Sequence, residues 1–161
     1  NYDFIGTAWA IGVGTEVLLM TQAHRILTQI KPITVLAVCG LVATFRWGLL
    51  SELSIGTQIL WSQPLHGITF GMFYLSMVNQ VQKYAPPDVR ATVQSIALAS
   101  MSMGMIVGYL GGGYVFESFG GSAVFFGAMC AAALAALIFL AAPRLHLRAA
   151  SLQGRQEGII E

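Results

Sequence analysis

The sequence predicts an all-α integral membrane protein with five transmembrane helices. Apolar residues make up 56% of the chain and charged residues only 9%, whereas a soluble domain carries about 25% charged residues. The apolar residues form long runs, and residues 122–142 contain no charge at all. A run of that length crosses the ~30 Å hydrocarbon layer as a helix. Since a helix satisfies its own backbone hydrogen bonds in lipid, each long apolar run is interpreted as a helix.

Four interruptions divide the apolar sequence. They are a Lys-Pro pair at 31–32, residues 52–54, a Pro-Pro pair at 86–87 and a Gly-Gly pair at 120–121. The proline pair is the clearest break, because proline cannot continue a helix. We therefore predict transmembrane helices over residues 4–22, 33–51, 55–80, 91–116 and 122–142.

The placement of the cations predicts the orientation. Of eight Lys and Arg residues, only Arg46 lies inside a predicted span, and the other seven lie on one side of a five-span bundle. The positive-inside rule makes that side cytoplasmic and the N-terminus external. Residues 1–143 are then a transmembrane bundle, and residues 144–161 are a cytoplasmic tail. The seven cations are Arg25, Lys31, Lys83, Arg90, Arg144, Arg148 and Arg155.

The fourth segment is rich in glycine. Gly104 and Gly108 have GxxxG spacing, as do Gly108 and Gly112. Small residues at this spacing allow neighbouring helices to approach closely, so the pattern predicts tight packing. Flexing of this helix during a conformational cycle is compatible with the same pattern.

Three ionisable residues, Glu16, Arg46 and His66, lie inside apolar segments. A charged group at the bilayer centre costs at least ~2.5–3.5 kcal/mol, so such residues face a cavity or each other. Helix lengths place Glu16 and His66 at similar depth near the midplane, with Arg46 nearer the external face. The three form either a polar cluster that fixes helix register or a substrate-binding or proton-coupling site.

Neighbours at helical spacing extend this candidate site. Gln63 and Phe70 share a helix face with His66, and Trp9 shares a face with Glu16. Trp9 either contacts a ring or sugar ligand or is an interface or packing residue. Pro64 is expected to kink the third helix next to His66.

Other chemistry has weaker support. Met101 and Met105 form an MxxxM pair that could bind Cu(I), and His66 could be an axial ligand of a haem. Glu16 and His66 could act as a catalytic base pair, but no nucleophile, P-loop, metal-ligand or nucleotide motif accompanies them. We therefore expect no enzyme activity, no cofactor, no metal and no nucleic-acid partner.

Several stretches resemble the major facilitator superfamily. The run FIGTAWAIGVGTEVLLM from Phe4, the Phe45-Arg46-Trp47 triplet and residues 65–71 resemble its helices 8, 9 and 10. Gln94 and the glycine run ending near Gly120 resemble helix 11. The similarity is to the branch of phenylpropionate permease-like and nucleoside–proton symporter-like proteins. It implies a partial half-bundle, helices 8–12, that lacks the N-terminal half.

The chain is similar, more distantly, to lactose permease-like symporters. That resemblance implies that Glu16, Arg46 and His66 take part in proton coupling and sugar binding. That group has a second carboxylate one turn after the histidine, whereas this chain has Thr69 at that position. The difference leaves proton coupling open. An aromatic acid, a nucleoside and a sugar all remain open as the substrate.

The resulting hypothesis is the C-terminal part of a secondary active transporter that moves a small organic solute by alternating access. The alternative is a non-transporting structural or assembly subunit of a larger membrane complex. The chain begins with Asn1 and not Met, so we expect an upstream part of the protein. The expected partners are the lipid bilayer, the solute, protons if transport is coupled, and the missing N-terminal half or another membrane chain. The expected location is a bacterial inner membrane.

Overall fold

A computed structural model of the chain describes the backbone of residues 2–52 and 56–157, with side chains for 4–52 and 59–142. Within these ranges every regular element is a helix, which confirms the all-α fold class. Four helices are continuous and one, α3, consists of consecutive pieces. The continuous helices are α1 (Tyr2–Gln29), α2 (Pro32–Glu52), α4 (Arg90–Phe119) and α5 (Gly121–Glu157). The pieces of α3 are Gly56–Ser62, Pro64–His66, the π-helical Gly67–Met72, and Phe73–Tyr84.

The continuous helices account for four of the five predicted spans. In the described part of the chain, four stretches are long and apolar enough to cross a membrane: Phe4–Gln29, Pro32–Glu52, Arg90–Phe119 and Gly121–Ala142. The α3 helix occupies the fifth predicted segment, but its interruptions leave each piece shorter than a full span. The architecture is that of an all-α membrane half-bundle.

Two helices extend furthest beyond their predicted ends. The α1 helix continues from residue 22 to Gln29, because no proline or glycine occurs between residue 22 and the Lys-Pro pair at 31–32. The α5 helix continues past residue 142 to Glu157, into the segment predicted as a tail. The division into a bundle and a cytoplasmic tail stays a prediction.

The α2 helix packs along α5 on one side and against α3 on the other. A Cβ atom added at Gly40 of α2 would lie 2.9 Å from the Cβ of Ala136 in α5, so the two backbones cross closely. Further along, Trp47 stacks on Phe125, with ring centroids 5.9 Å apart. These contacts hold the face of α2 that carries Arg46 in a defined position.

The α3 helix is interrupted beside Pro64, as the sequence predicts. Proline has no N–H to donate, and the adjoining bonds are short-range: Gln63 N–H to Leu60 carbonyl, and His66 N–H to Gln63 carbonyl. A π-helical turn, Gly67–Met72, follows. Such turns are rare and frequently occur at functional sites.

Two glycines of the π-helical turn allow α3 to approach α1. A Cβ added at Gly67 would lie 2.8 Å from Leu19 Cδ1 and 2.9 Å from the Glu16 backbone nitrogen. One added at Gly71 would lie 2.8 Å from Glu16 Cγ. This approach places α3 directly against the turn of α1 that carries Glu16.

The α4 helix is the most open element, and none of its residues is buried. A Cβ added at Gly104 or Gly108 would have no neighbour within 4 Å, whereas one at Gly112 would lie 3.7 Å from Val124. The tight packing predicted from the GxxxG spacing is therefore not made by Gly104 and Gly108 within the described part of the chain. Among the described residues, α4 contacts the rest of the bundle mainly along α3 and α5.

Candidate functional site

A cleft of about 500 Å³ opens between α1, α2 and α3. Its wall combines aromatic rings, small apolar residues and a few polar groups. Four of the five site residues predicted from the sequence belong to it, and the fifth, Glu16, does not. The lining residues are Phe4, Ile5, Ala8, Trp9, Gly12, Ala43, Arg46, Trp47, Ile59, Gln63, His66, Thr69 and Phe70.

Arg46 is the buried charge of this cleft, with only 7% of its surface exposed. One guanidinium nitrogen, Nη1, donates to Thr69 Oγ1 at 3.5 Å, and that hydroxyl donates to the His66 carbonyl at 3.3 Å. The guanidinium carbon lies 4.8 Å from the centre of the Trp47 ring. Arg46 Nε is buried without a hydrogen-bond partner among the described residues.

The side chain of Arg46 extends from α2 toward α3. Its hydrogen-bond partner Thr69 follows His66 by three residues, which is about one helical turn along α3. A long side chain that reaches inward is compatible with the backbone position that the helix lengths predict for Arg46, nearer the external face. The long side chain is held there by its contact with Thr69.

Glu16 and His66 form a second polar group. His66 Nε2 lies 3.9 Å from Glu16 Oε2, and their side chains are 25% and 15% exposed, respectively. Within the described side chains no ion pair joins Arg46 to a carboxylate, so Glu16 is paired with the histidine. Such a pair can hold a proton on either member.

Aromatic rings hold the imidazole of His66 in place. The ring of Phe70 stacks on it at a centroid distance of 5.5 Å and an interplanar angle of 8°. Trp9 approaches its edge at 6.4 Å, although Trp9 itself is 65% exposed. The imidazole is therefore positioned by rings from both α1 and α3.

Gln63 lies one turn before His66 in the same wall. Its Nε2 donates to the Ile59 carbonyl at 3.3 Å, which fixes the orientation of the side chain. Across the cleft, a Cβ added at Gly12 would lie 3.5 Å from Gln63 Oε1 and 3.4 Å from His66 Cδ2. A methyl group at this position would therefore be in ordinary van der Waals contact with His66 and Gln63.

A smaller cleft of about 300 Å³ lies on the other side of Phe70, between α1, α3 and α4. Glu16 lines this cleft, and Phe70 lines both. Phe70 and the imidazole of His66 therefore separate the carboxylate from the larger cleft. The lining residues of the smaller cleft are Glu16, Met20, Phe70, Tyr74, Leu98, Met101, Ser102 and Met105.

No metal centre is evident in the part of the chain that the structure describes. No three His, Cys, Asp or Glu side chains there are grouped closely enough to hold an ion. Met101 and Met105 share the smaller cleft with Glu16, and the copper-binding interpretation of this pair stays a prediction.

Sequence reasoning missed Trp47 and Gly12 as residues of the cleft. Trp47 adjoins Arg46, and a ring next to a charged residue in an apolar span is a usable signal for a cation–π contact. Gly12 precedes Glu16 by four residues and so lies on the same helix face. That Gly12 faces His66 and Gln63 depends on how α1 packs against α3, which the sequence does not show.

The comparison with known families identifies the protein class. A model described as the MFS_1 like family matches residues 2–127. The chain belongs to this family. Membership of this transporter family confirms the prediction that the chain is not an enzyme, and it confirms the resemblance to the major facilitator superfamily. The family match does not test the two branches named above.

A curated relative supports the same assignment. The chain is 28% identical over 114 residues to a protein of Bacillus subtilis (strain 168) named "Uncharacterized transporter YwbF". The aligned stretch covers 70% of this chain and 29% of that protein, so the chain spans less than a third of the relative that it matches. No solved structure matches the chain significantly.

Proposed function

We propose that the chain is the C-terminal part of a secondary active transporter that moves a small organic solute by alternating access. The cleft of about 500 Å³ between α1, α2 and α3, with a buried arginine in its wall, is the observation that supports this most directly. Ionisable residues within apolar helices are costly and mark substrate or ion pathways. Transporters of this kind bind their solute near the midplane, between two repeats that rock against each other.

The remainder of the transporter follows from the same proposal. The matched relative is a much longer protein, since the aligned stretch is only 29% of its length. The other half of the pathway then comes from an N-terminal half-bundle or from another membrane chain. The cation pattern supports an external N-terminus and a cytoplasmic C-terminus. Because the matched relative comes from a bacterium, we place the chain in a bacterial inner membrane.

The Glu16–His66 pair is our candidate for coupling transport to protons. The two side chains are 3.9 Å apart in an apolar setting, and carboxylate and histidine side chains serve as proton relays in pumps and transporters. Glu16 is the proton acceptor in this proposal, and His66 is its hydrogen-bond partner or a solute ligand. Arg46 contacts Thr69 and Trp47, so we assign it to binding of the solute and not to the role of a counter-charge for Glu16.

Uptake by the complete gene product in proteoliposomes tests this function. Radiolabelled benzoate, uridine and lactose represent the three open solute classes, and protein-free liposomes give the passive background. We expect at least one solute to accumulate further under an inward proton gradient, and Glu16→Gln to abolish that increase. Glu52→Gln, a substitution of an exposed carboxylate at the end of α2, is the matched control.

Two results would contradict the proposal. Gradient-driven uptake that survives Glu16→Gln would remove Glu16 from the coupling mechanism. Absence of uptake of all three solutes, together with a native product that has only the 17.2 kDa mass of this chain, would favour the structural or assembly subunit.

A further inference from the structure

Phe70 lines both clefts, which lie at different depths along the bundle. In α1, residues between Phe4 and Gly12 line the larger cleft, whereas Glu16 and Met20 line the smaller one. The step from Gly12 to Glu16 corresponds to about 6 Å along a helix axis. Since α1 begins on the predicted external side, the larger cleft lies nearer that side and the smaller cleft lies nearer the cytoplasm.

The ring of Phe70 and the imidazole of His66 form a double layer between the two clefts. The two rings are stacked with their centroids 5.5 Å apart, and His66 Nε2 lies 3.9 Å from Glu16 Oε2. The residue after Phe70 is Gly71, and a Cβ added there would lie 2.8 Å from Glu16 Cγ. The Glu16 side chain is thus held against the backbone of α3 next to Phe70, on the side of the smaller cleft.

The exposure of Phe70 argues against a role in core packing alone. Phe70 is 39% exposed, whereas Met72 in the same π-helical turn is only 4% exposed and belongs to the hydrophobic core. A ring that only filled the core would be buried as Met72 is. Phe70 instead forms part of the wall of two open spaces.

This arrangement keeps two opposite charges apart. Arg46 lines the larger cleft and Glu16 the smaller one, and no ion pair joins them among the described side chains. An arginine and a carboxylate pair strongly where they can approach each other away from water. A phenyl ring offers no group that can donate or accept a proton. The imidazole of His66 lines the larger cleft and faces Glu16, so it is the polar group that connects the two spaces.

We propose that Phe70 is a positioning residue that keeps the Glu16 carboxylate out of the larger cleft, so that a proton passes between the clefts through His66. The consequence for transport rests on the proposed function, whereas the partition itself is a property of the bundle. An opening at Phe70 would connect Glu16 to the larger cleft through water. A proton would then reach the carboxylate whether or not a solute is bound.

Labelling of an introduced thiol tests the partition without relying on transport. The complete gene product carries Glu16→Cys in a background without other cysteines, including Cys39→Ala and Cys130→Ala. Right-side-out membrane vesicles are treated with the impermeant reagent methanethiosulfonate ethylsulfonate. We expect Phe70→Ala to raise the labelling rate at residue 16 at least about tenfold, because the reactivity of a thiol follows its access. Ala43→Cys lines the larger cleft and should be labelled at the same rate with and without Phe70→Ala.

Two further variants separate the barrier from a general loss of structure. Phe70→Tyr keeps the ring and its stack on His66, and slow labelling at residue 16 is expected. Phe45→Ala removes the same ring from a residue of α2 that is 62% exposed, and it is expected to change neither rate. Equal labelling at residue 16 with and without Phe70→Ala, while residue 43 is labelled in both, would overturn the proposal.

Proton movement in the absence of solute gives a second readout. Proteoliposomes that contain the pH-sensitive dye pyranine report acidification of their interior under an inward proton gradient. We expect Phe70→Ala to admit protons without solute, and the unmodified protein, Phe70→Tyr and Phe45→Ala not to do so. Proton entry that is the same in Phe70→Ala and the unmodified protein would contradict a role for the partition in coupling.

The failure of this inference is distinguishable from the failure of the proposed function. Labelling at residue 16 that depends on Phe70, without uptake of any solute, would support the partition and contradict transport. Gradient-driven uptake with labelling that does not depend on Phe70 would leave the transporter in place and overturn the partition.

Discussion

Gly67 in α3 and Gly108 in α4 both lie within apolar helices, but their surroundings are opposite. A Cβ at Gly67 would lie under 3.0 Å from both side-chain and backbone atoms of α1. A Cβ at Gly108 would meet nothing within 4 Å among the described residues. The region where α1 and α3 meet is thus built on close helix contact, whereas the glycine face of α4 is open.

The difference shows that glycine content alone does not identify a packed helix face. Both helices carry several glycines in apolar sequence, and in both the residues would permit close approach. Among the described residues of these two helices, only the glycines of α3 lie so close to a neighbouring helix that a Cβ would be under 3.0 Å from it. This approach brings His66 to Glu16. The site therefore depends on the glycines of α3 and not on the more conspicuous glycine run of α4.

Gly67→Ala is the strongest test of this comparison. The added methyl group would contact the Glu16 nitrogen and the Thr15 carbonyl carbon, which are backbone atoms and cannot turn aside. We expect a loss of about 3 kcal/mol of stability, the upper range for overpacking, together with loss of uptake. The melting temperature of the complete gene product in nanodiscs measures it. A fully stable, active Gly67→Ala protein would contradict the close contact of α1 and α3.

Gly71→Ala should have a smaller and more selective effect. Its methyl group would lie 2.8 Å from Glu16 Cγ, which belongs to a side chain that can shift. We expect a loss of about 1–2 kcal/mol of stability and a weaker dependence of uptake on the proton gradient. Solute binding in the larger cleft should stay unchanged, because Glu16 does not line it. An unaltered proton dependence would show that the position of Glu16 is not critical.

Gly108→Ala should have the smallest effect. Since nothing lies within 4 Å of the added methyl group, alanine is expected to leave the stability unchanged or to raise it by up to about 1 kcal/mol through its helix propensity. The same melting measurement applies, with Gly67→Ala as the contrasting variant. A clear fall in the melting temperature would show that another part of the complete protein packs on this face, and the comparison would then no longer hold.

Much of the fold could be predicted from the sequence, because long apolar runs and paired prolines are local signals. The position of the irregularity in α3 could be predicted for the same reason. Pro64 was expected to kink this helix because it has no N–H to donate, and that effect is local to the proline. The predicted end of α1, residue 22, is seven residues before the observed end at Gln29. The prediction ended the helix where the sequence becomes polar, although no helix-breaking residue occurs there. The π-helical turn that follows His66 was not predicted.

The candidate site was predicted in its residues but not in its arrangement. Charge within apolar sequence selected Arg46 and His66, and helical spacing selected Gln63 and Trp9; all four line the larger cleft. Their partners could not be predicted, because a contact between Arg46 and Thr69 depends on how two helices are aligned. The same holds for the separation of Glu16 from that cleft by Phe70.

The sequence by itself determined the helical membrane class and the identity of the costly buried ionisable groups, because hydropathy and charge are properties of each residue along the chain. The tertiary structure decided that Glu16 pairs with His66, that Arg46 has no carboxylate partner among the described residues, and that α4 keeps an open glycine face. Those outcomes depend on which helices meet and at what register, and side-chain packing between separate helices sets that register.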